Sequence, residues 1–242
     1  AELLEEGGRR GLQLHGGIFP GLIVGTRRQD EGLIARPLPL GTQIARARLL
    51  DEGIEWHQKL PDAVPPGALS AMVFIDCLSP NVIRFLGEVY DVFSTSISYA
   101  GAGTGFHDLR EEHSIFSGNR MLEHGGVVML LPQPAITNVK HGWTRVAGPF
   151  IATKVSGNAI QELNWEPAGT FYRDEVAKLS PELRDKPVFP YLNSTYPLSI
   201  GKQSAEDVVR DPIDINDDDE IVALSESTEN SAIYIVKGDQ DS

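Results

Sequence analysis

The chain has 242 residues, 41% hydrophobic and 23% charged, the make-up of a globular protein long enough for one large domain or two small ones. A net charge of −13 disfavours nucleic acid, which needs a basic face to neutralise phosphates, and equally an anionic membrane surface. The single cysteine, Cys77, excludes an internal disulfide and fits a reducing compartment, while no apolar run approaches the roughly 20 residues of a bilayer span.

The charge is unevenly spread. Seven arginines between Arg9 and Arg48 stand against only Asp30 and Glu31, and twelve acidic residues between Gln203 and Ser242 stand against Arg210 and Lys237. Two solvated faces, or two regions that attract each other or an interface, both account for this. The first residues, AELLEEGGRR, lack the basic-then-apolar order of a signal peptide and open inside an acidic helix-like run. The chain is therefore expected to begin partway into a domain.

In chain order, Leu22, Ile23 and Val24 predict a short buried strand between glycine and proline breaks. From Gly32 to Leu50 the weak alternation predicts strands whose arginines point outward, and 60–69 is a proline-rich connection. Ser70 to Leu78 reads as a buried strand. A helix should follow it, with Ser79 as its cap and Pro80 at the first helical position. Its apolar face is expected at Val82, Leu86, Val89 and Phe93, with Ile83 and Tyr90 beside them.

STSISYA then returns as a strand into a glycine-rich turn, Gly101 to Gly105, completing a strand–helix–strand unit of α/β type. A polar run with His107, His113 and His124 leads to the buried strand GVVMLL, ended by Pro132 and Pro134. A domain boundary there divides the chain into 1–134 and 135–242. In the second part, Phe150–Val155 and Ala159–Leu163 form a hairpin across Ser156-Gly157-Asn158. Pro167 opens a helix whose inner face carries Ala168, Phe171 or Tyr172, Val176 and Leu179. VVRDPIDI, EIVALS and SAIYIVKG predict a closing antiparallel meander. The fold class is thus α/β, two lobes of mixed sheet flanked by helices.

Few motifs carry chemistry. The glycine run lacks the third glycine of a dinucleotide fingerprint, because Phe106 stands there, and no P-loop Lys-Ser/Thr pair follows. It is either a structural turn or a loop that brings backbone N–H groups to a ligand. The acidic stretch 214–220 has Asp219 where a calcium loop needs glycine and Ser225 where it needs glutamate, so it reads as an exposed turn. The histidines lack metal-site spacing, and no metal is expected; a single axial haem ligand needs no such spacing. There is no Gly-x-Ser-x-Gly elbow. Cys77 in an apolar strand reads as packing. Asp76 is either a capping group or the end of a strand pointing into a cleft, where α/β sheets bind ligands. His141-Gly142-Trp143 joins a titratable donor to a large apolar face and suits an amphiphilic small ligand, or equally a packed tryptophan beside a satisfied histidine.

At this triplet the chain resembles the FIST domain family of sensory modules. The resemblance is carried by VKHGWTRVAGPFIATKVSGNAIQELNWEPAGTFYRDEV, YPLSIGK and VVRDPIDINDDDEIVALSESTENSAIYIVKGD, which look like the C-terminal FIST module. Upstream, MVFIDCLSPNVIRFLGEVYDVFSTSISYAGAG and HGGVVMLLP resemble the end of the N-terminal module. It covers roughly residues 70–240, so the early elements of the N-terminal module are expected to be missing.

The resemblance implies a cytoplasmic, non-enzymatic sensor that binds a small ligand, an amino acid among those proposed. It would signal to a kinase, cyclase, chemotaxis or ubiquitin-ligase partner. The ligand is expected between the two lobes, contacted by Gly101, Gly103, Gly105, Asn119, His141, Gly142, Trp143 and Arg210, whose fork suits a carboxylate. No cofactor is expected, although a haem-containing nitric oxide sensor in the same family leaves haem open, with His141 as the axial candidate. A hydrolase-like enzyme using Asp76 or His141 and a protein-interaction adaptor are the remaining alternatives.

Overall fold

The structure is a computed structural model and describes residues 2–202 and 206–238. It divides into two compact units, Ala1–Thr137 and Asn138–Ser242. The first unit contains α1 (Glu2–Arg9), β1 (His15–Gly17), β2 (Leu22–Val24), β3 (Arg27–Gln29), β4 (Gln43–Leu50), β5 (Gly53–Gln58) and β6 (Ser70–Asp76). It continues with α2 (Val82–Phe93), β7 (Ser98–Thr104), β8 (Ile115–Ser117), β9 (Met121–Leu122) and β10 (Gly125–Leu131).

Its centre is a five-stranded sheet in the order β5-β4-β10-β6-β7. β10 is antiparallel to both neighbours, whereas β6 and β7 run parallel, joined by the α2 crossover. β6 and β10 lie inside the sheet and are covered on both faces, which is why SAMVFID and GGVVMLL are almost continuously apolar. One face packs Phe85, Val89 and Phe93 of α2 onto Ala47, Leu49, Val73 and Val128. The other holds Ile115 against Val127 and Met129 under the small sheet β1-β8-β9. Gly126 is glycine because a Cβ there would lie 2.6 Å from the Phe85 ring.

Several expectations change here. The strand Leu22–Val24 forms, but it pairs only with β3 in a two-stranded ribbon, so Ile23 and Val24 are exposed. Ser79 does not cap α2. Asn81 does so in a left-handed conformation (φ 56°), its side chain donating instead to the Leu50 and Asp51 carbonyls. The buried face is centred on Phe85, Val89 and Phe93, and Ile83, Leu86 and Tyr90 are exposed. Gly101 and Gly103 lie within β7, in register with Val73 and Ile75, not in a turn. Arg46 of β4 points not to water but to β8, donating to the Ser117 carbonyl.

The second unit contains β11 (Trp143–Ser156), β12 (Ala159–Leu163), β13 (Glu166–Pro167), α3 (Ala168–Leu179), β14 (Leu198–Ile200), β15 (Val208–Arg210), β16 (Pro212–Ile215), β17 (Ile221–Ala223) and β18 (Ala232–Gly238). They form one antiparallel sheet, β15-β14-β18-β11-β12-β17-β16, with β13 on the side of β12. The predicted β11–β12 hairpin is present, turning at Gly157 with φ +60°. β16 and β17 also form the expected hairpin. The meander stops there, because β18 inserts between β14 and β11. Alternation explains the choice: Ile233 and Ile235 of β18 need the central core, where they meet Leu198, Leu163 and Tyr172.

Between Phe171 and Tyr172, Tyr172 is the core residue, fully buried with its hydroxyl donating to the Tyr196 carbonyl at 2.7 Å. Phe171 packs at the rim edge-on to Phe150, and Leu179 is exposed.

Candidate functional site

The α2 crossover leaves the carboxyl end of β6 and re-enters at the amino end of β7, so the carboxyl ends of the parallel pair lie side by side at a cleft, where open α/β sheets characteristically bind ligands. Asp76, the last residue of β6, stands at its floor. The register Ile75↔Gly126 brings the β9–β10 turn, with Glu123 and His124, alongside it. The loop after β7 supplies Glu111, Glu112 and His113. With Leu78 these residues line a cleft of about 220 Å³.

That loop is tied down where it leaves the strand. Thr104 donates to the Ile75 carbonyl at 3.2 Å and shares a hydrogen bond with Ser114 at 2.8 Å, both side chains buried. Cys77 N–H donates to the Thr104 carbonyl, and Asp76 Oδ1 accepts the Leu78 N–H at 3.1 Å. Burial pushes the Cys77 thiol up, and the Asp76 charge pushes it further the same way. A thiol held protonated is a poor nucleophile. Two of the carboxylates are neutralised at the rim: Glu123 by Arg48 at 2.5 Å and Glu112 by Arg110 at 3.2 Å. Asp76 and Glu111 have no cationic partner among the described residues.

The residues predicted for binding are not gathered at this cleft. Gly101 and Gly103 are packing glycines: a Cβ on either would come within 1.9 Å of the Val73 carbonyl or the Cys77 sulfur. Gly105 N–H is taken by the Ile18 carbonyl. Asn119 sits at φ +64° in the turn between β8 and β9. Its side chain clamps the chain after α1, accepting from Leu14 N–H at 2.8 Å and donating to the Leu12 carbonyl at 2.6 Å.

In the second unit, Gly142 adopts φ +70°, and the turn it makes lets His141 Nδ1 accept the Trp143 N–H at 3.0 Å. Glu206 Oε1 stands 3.6 Å from the same nitrogen. Nε2 therefore carries the proton of the neutral ring, buried and without a partner among the described residues. Trp143 lies across from Gly238, whose missing side chain makes room for the indole. Arg210 donates to the Glu226 and Val209 carbonyls, and burial pulls its guanidinium below its ordinary range. Two of its N–H groups are thus given to backbone carbonyls.

Glu111, Glu112, His113, Glu123 and His124 carry no local pattern that marks a site, since only the β6–β10 register and the loop's fold bring them to the cleft with Asp76. The available signal was Asp76 itself, a charge at the end of an apolar strand. Among the described residues no group of three or more His, Cys, Asp or Glu is arranged to hold a metal ion.

A family model, the FIST N domain, matches residues 2–166. The chain belongs to the FIST family. The match begins at residue 2, so α1 to β5, which the resemblance had left out, are part of the matched FIST N domain. It also runs past Thr137 through the β11–β12 hairpin. The whole Asp76 cleft and the His141–Trp143 turn fall inside it. The family is associated with signal transduction and small-ligand sensing. No curated protein and no solved structure matches the chain. Among the described residues no helix is long and apolar enough to cross a membrane.

Proposed function

We propose that this FIST chain is a non-enzymatic sensory domain that takes a small ligand into the Asp76 cleft and relays its presence to a signalling partner. One observation carries the reading. Within the FIST N match, the carboxyl end of the parallel β6–β7 pair opens on a cleft whose floor is a buried carboxylate without a counter-ion. A cleft at this position with a few polar groups is where a small ligand is expected to bind.

The signal has a short route, since the cleft is walled by a loop and a turn that a ligand can order. A cytoplasmic setting with a kinase, cyclase, chemotaxis or ubiquitin-ligase partner belongs to the same proposal and agrees with the lone free cysteine. The amino-acid version, with its ligand between the lobes, uses Arg210 for the carboxylate, and two N–H groups of that guanidinium already serve backbone carbonyls. The haem version requires an open face at His141 Nε2. That atom is sealed from solvent and lines none of the clefts found beside Asp76, α3 or β4, so these residues do not fit a haem. Hydrolysis by Cys77 is disfavoured by its raised thiol, a poor nucleophile.

The test is a thermal-shift and calorimetric screen of the whole chain against a metabolite panel, repeated with Leu78→Trp, which fills the cleft. A ligand bound by the wild type and at least tenfold more weakly by the variant is the expected result. Equal binding by both would remove the site from this cleft.

A further inference from the structure

β7 closes one side of the five-stranded sheet, and among the described strands it pairs with β6 alone. The register is unbroken, from the Ser98 N–H donating to the Leu69 carbonyl to the Thr104 carbonyl accepting the Cys77 N–H. Backbone direction alternates along a strand. Ser98, Ala100, Ala102 and Thr104 therefore turn their N–H and C=O groups to β6, and Tyr99, Gly101 and Gly103 turn theirs to the open edge. The Gly105 N–H continues this outward row and is taken by the Ile18 carbonyl. The three residues before it have no backbone partner on that side among the described residues, and Gly101 to Gly103 are exposed.

Sheet edges are ordinarily blunted by charge, proline or a bulge. The opposite edge, β5, carries Glu55 and His57 and pairs with β4 across a register shift. β7 has none of these devices, and no charged residue stands between Ser94 and Phe106.

Beside the open edge α2 presents an apolar stripe of Ile83, Leu86 and Tyr90, between 41% and 50% exposed. The Tyr90 ring stands 6.1 Å from Tyr99 of β7, whereas Glu88, paired with Arg84, faces β5 and accepts the Trp56 indole N–H. Gly87 lies in the same stripe. Glycine inside a helix is costly, yet a Cβ at Gly87 would meet nothing within 4 Å. No contact among the described residues requires glycine there; the close approach of a second backbone does.

We propose that this edge is a dimer interface, in which two copies of the chain pair β7 antiparallel across a two-fold axis at Gly101. That register sets Tyr99 of one copy opposite Gly103 of the other and satisfies the outward groups with about six backbone hydrogen bonds. The same axis brings the two α2 stripes together on one face of a continuous sheet. A strand from another protein would satisfy β7 but leave the stripe in water, whereas a second copy covers both. The net charge of −13 does not oppose the contact, since neither the β7 edge nor the stripe carries a charge. An edge about 23 Å long and a strand-plus-helix depth of about 20 Å give about 450 Å² on each copy. That falls below the roughly 1,200 Å² total of standard stable complexes, so the dimer is a reversible one.

The experiment is sedimentation velocity of the whole chain over a concentration series, with amide hydrogen exchange at the same concentrations, for wild type, Tyr90→Glu and Gly87→Gln. Both positions are exposed, so the dilute variants should melt no lower than wild type. The expected result is a reversible monomer–dimer equilibrium, roughly tenfold weaker in each variant. Exchange at Tyr99, Gly101 and Gly103 should slow as the wild type dimerises. A wild type that stays monomeric at every concentration overturns the proposal. So does a dimer that both variants form equally well, or one that leaves those three amides unprotected. A monomer whose edge amides slow only with another protein bound gives the edge to that protein's strand and overturns the second copy.

Discussion

Asp207 shows how much one side chain can hold in this fold. Its carboxylate, 8% exposed, accepts Arg145 Nε at 2.7 Å, Ser199 Oγ at 3.1 Å and the Lys202 N–H at 3.3 Å, while the Arg145 guanidinium lies 3.8 Å over the Tyr234 ring. Arg145 above all, and then the Lys202 and Ser199 donors, hold Asp207 down at about 2, against 3.8 unperturbed. A depressed carboxylate contributes stability above its unfolded value and loses it as pH falls toward the folded one. Wild type should therefore lose thermal stability between about pH 4 and pH 2 more steeply than Asp207→Asn, followed by circular dichroism melts at each pH. Parallel decline of both proteins would show that the network contributes nothing. Asn119 makes the complementary point. Expected at the ligand from the family resemblance, it uses both ends of its amide to fasten residues 12–14.

At the scale of elements, α3 illustrates a start signal completed from elsewhere. Pro167 precedes the helix and has no side-chain oxygen to cap it. Asp219 does so across the fold: its carboxylate accepts the Thr170 N–H at 3.0 Å and its carbonyl the Gly169 N–H at 2.8 Å. Its negative charge also faces the positive end of the helix. Asp219 holds φ +60° to reach that position, in the very stretch where composition hinted at calcium. Asp219→Ala should cost about 1 kcal/mol of stability, read as a lower urea midpoint at unchanged slope. An unchanged midpoint would mean the helix end is satisfied by water instead. The α2 face was misplaced for a related reason. Leu86 and Phe85 are both apolar at helical spacing, and only the space opposite Gly126 selects Phe85.

For the whole molecule, the two units are joined by 132–142, which contains no helix or strand and exposes Ile136 and Val139. Residues 30–40 are similarly irregular and expose Leu33, Ile34 and Leu40. Limited thermolysin digestion followed by mass spectrometry should place the first cuts in these two segments, because backbone outside regular structure opens most cheaply. A first cut within β10 or α3 would contradict the division into two cores. The family match crosses this connection, so the FIST N domain and the compact unit are not the same interval of chain.

The sequence alone determined what depends on local pattern: the buried strands β6 and β10, the existence of α2 and α3, the β11–β12 hairpin, the α/β class and the family. These follow from hydrophobic period, turn chemistry and shared motifs, all of which lie along the chain. Tertiary structure decided which residues meet. Asp76 could be suspected at a strand end, but its company of Glu111, His113, Glu123 and His124 is set by the β6–β10 register and a loop tied by Thr104 and Ser114. The glycines of β7 and the His141 turn looked like ligand contacts because small and titratable residues serve packing and binding alike. Only the neighbours that Gly101, Gly103 and His141 acquire in space separate the two uses.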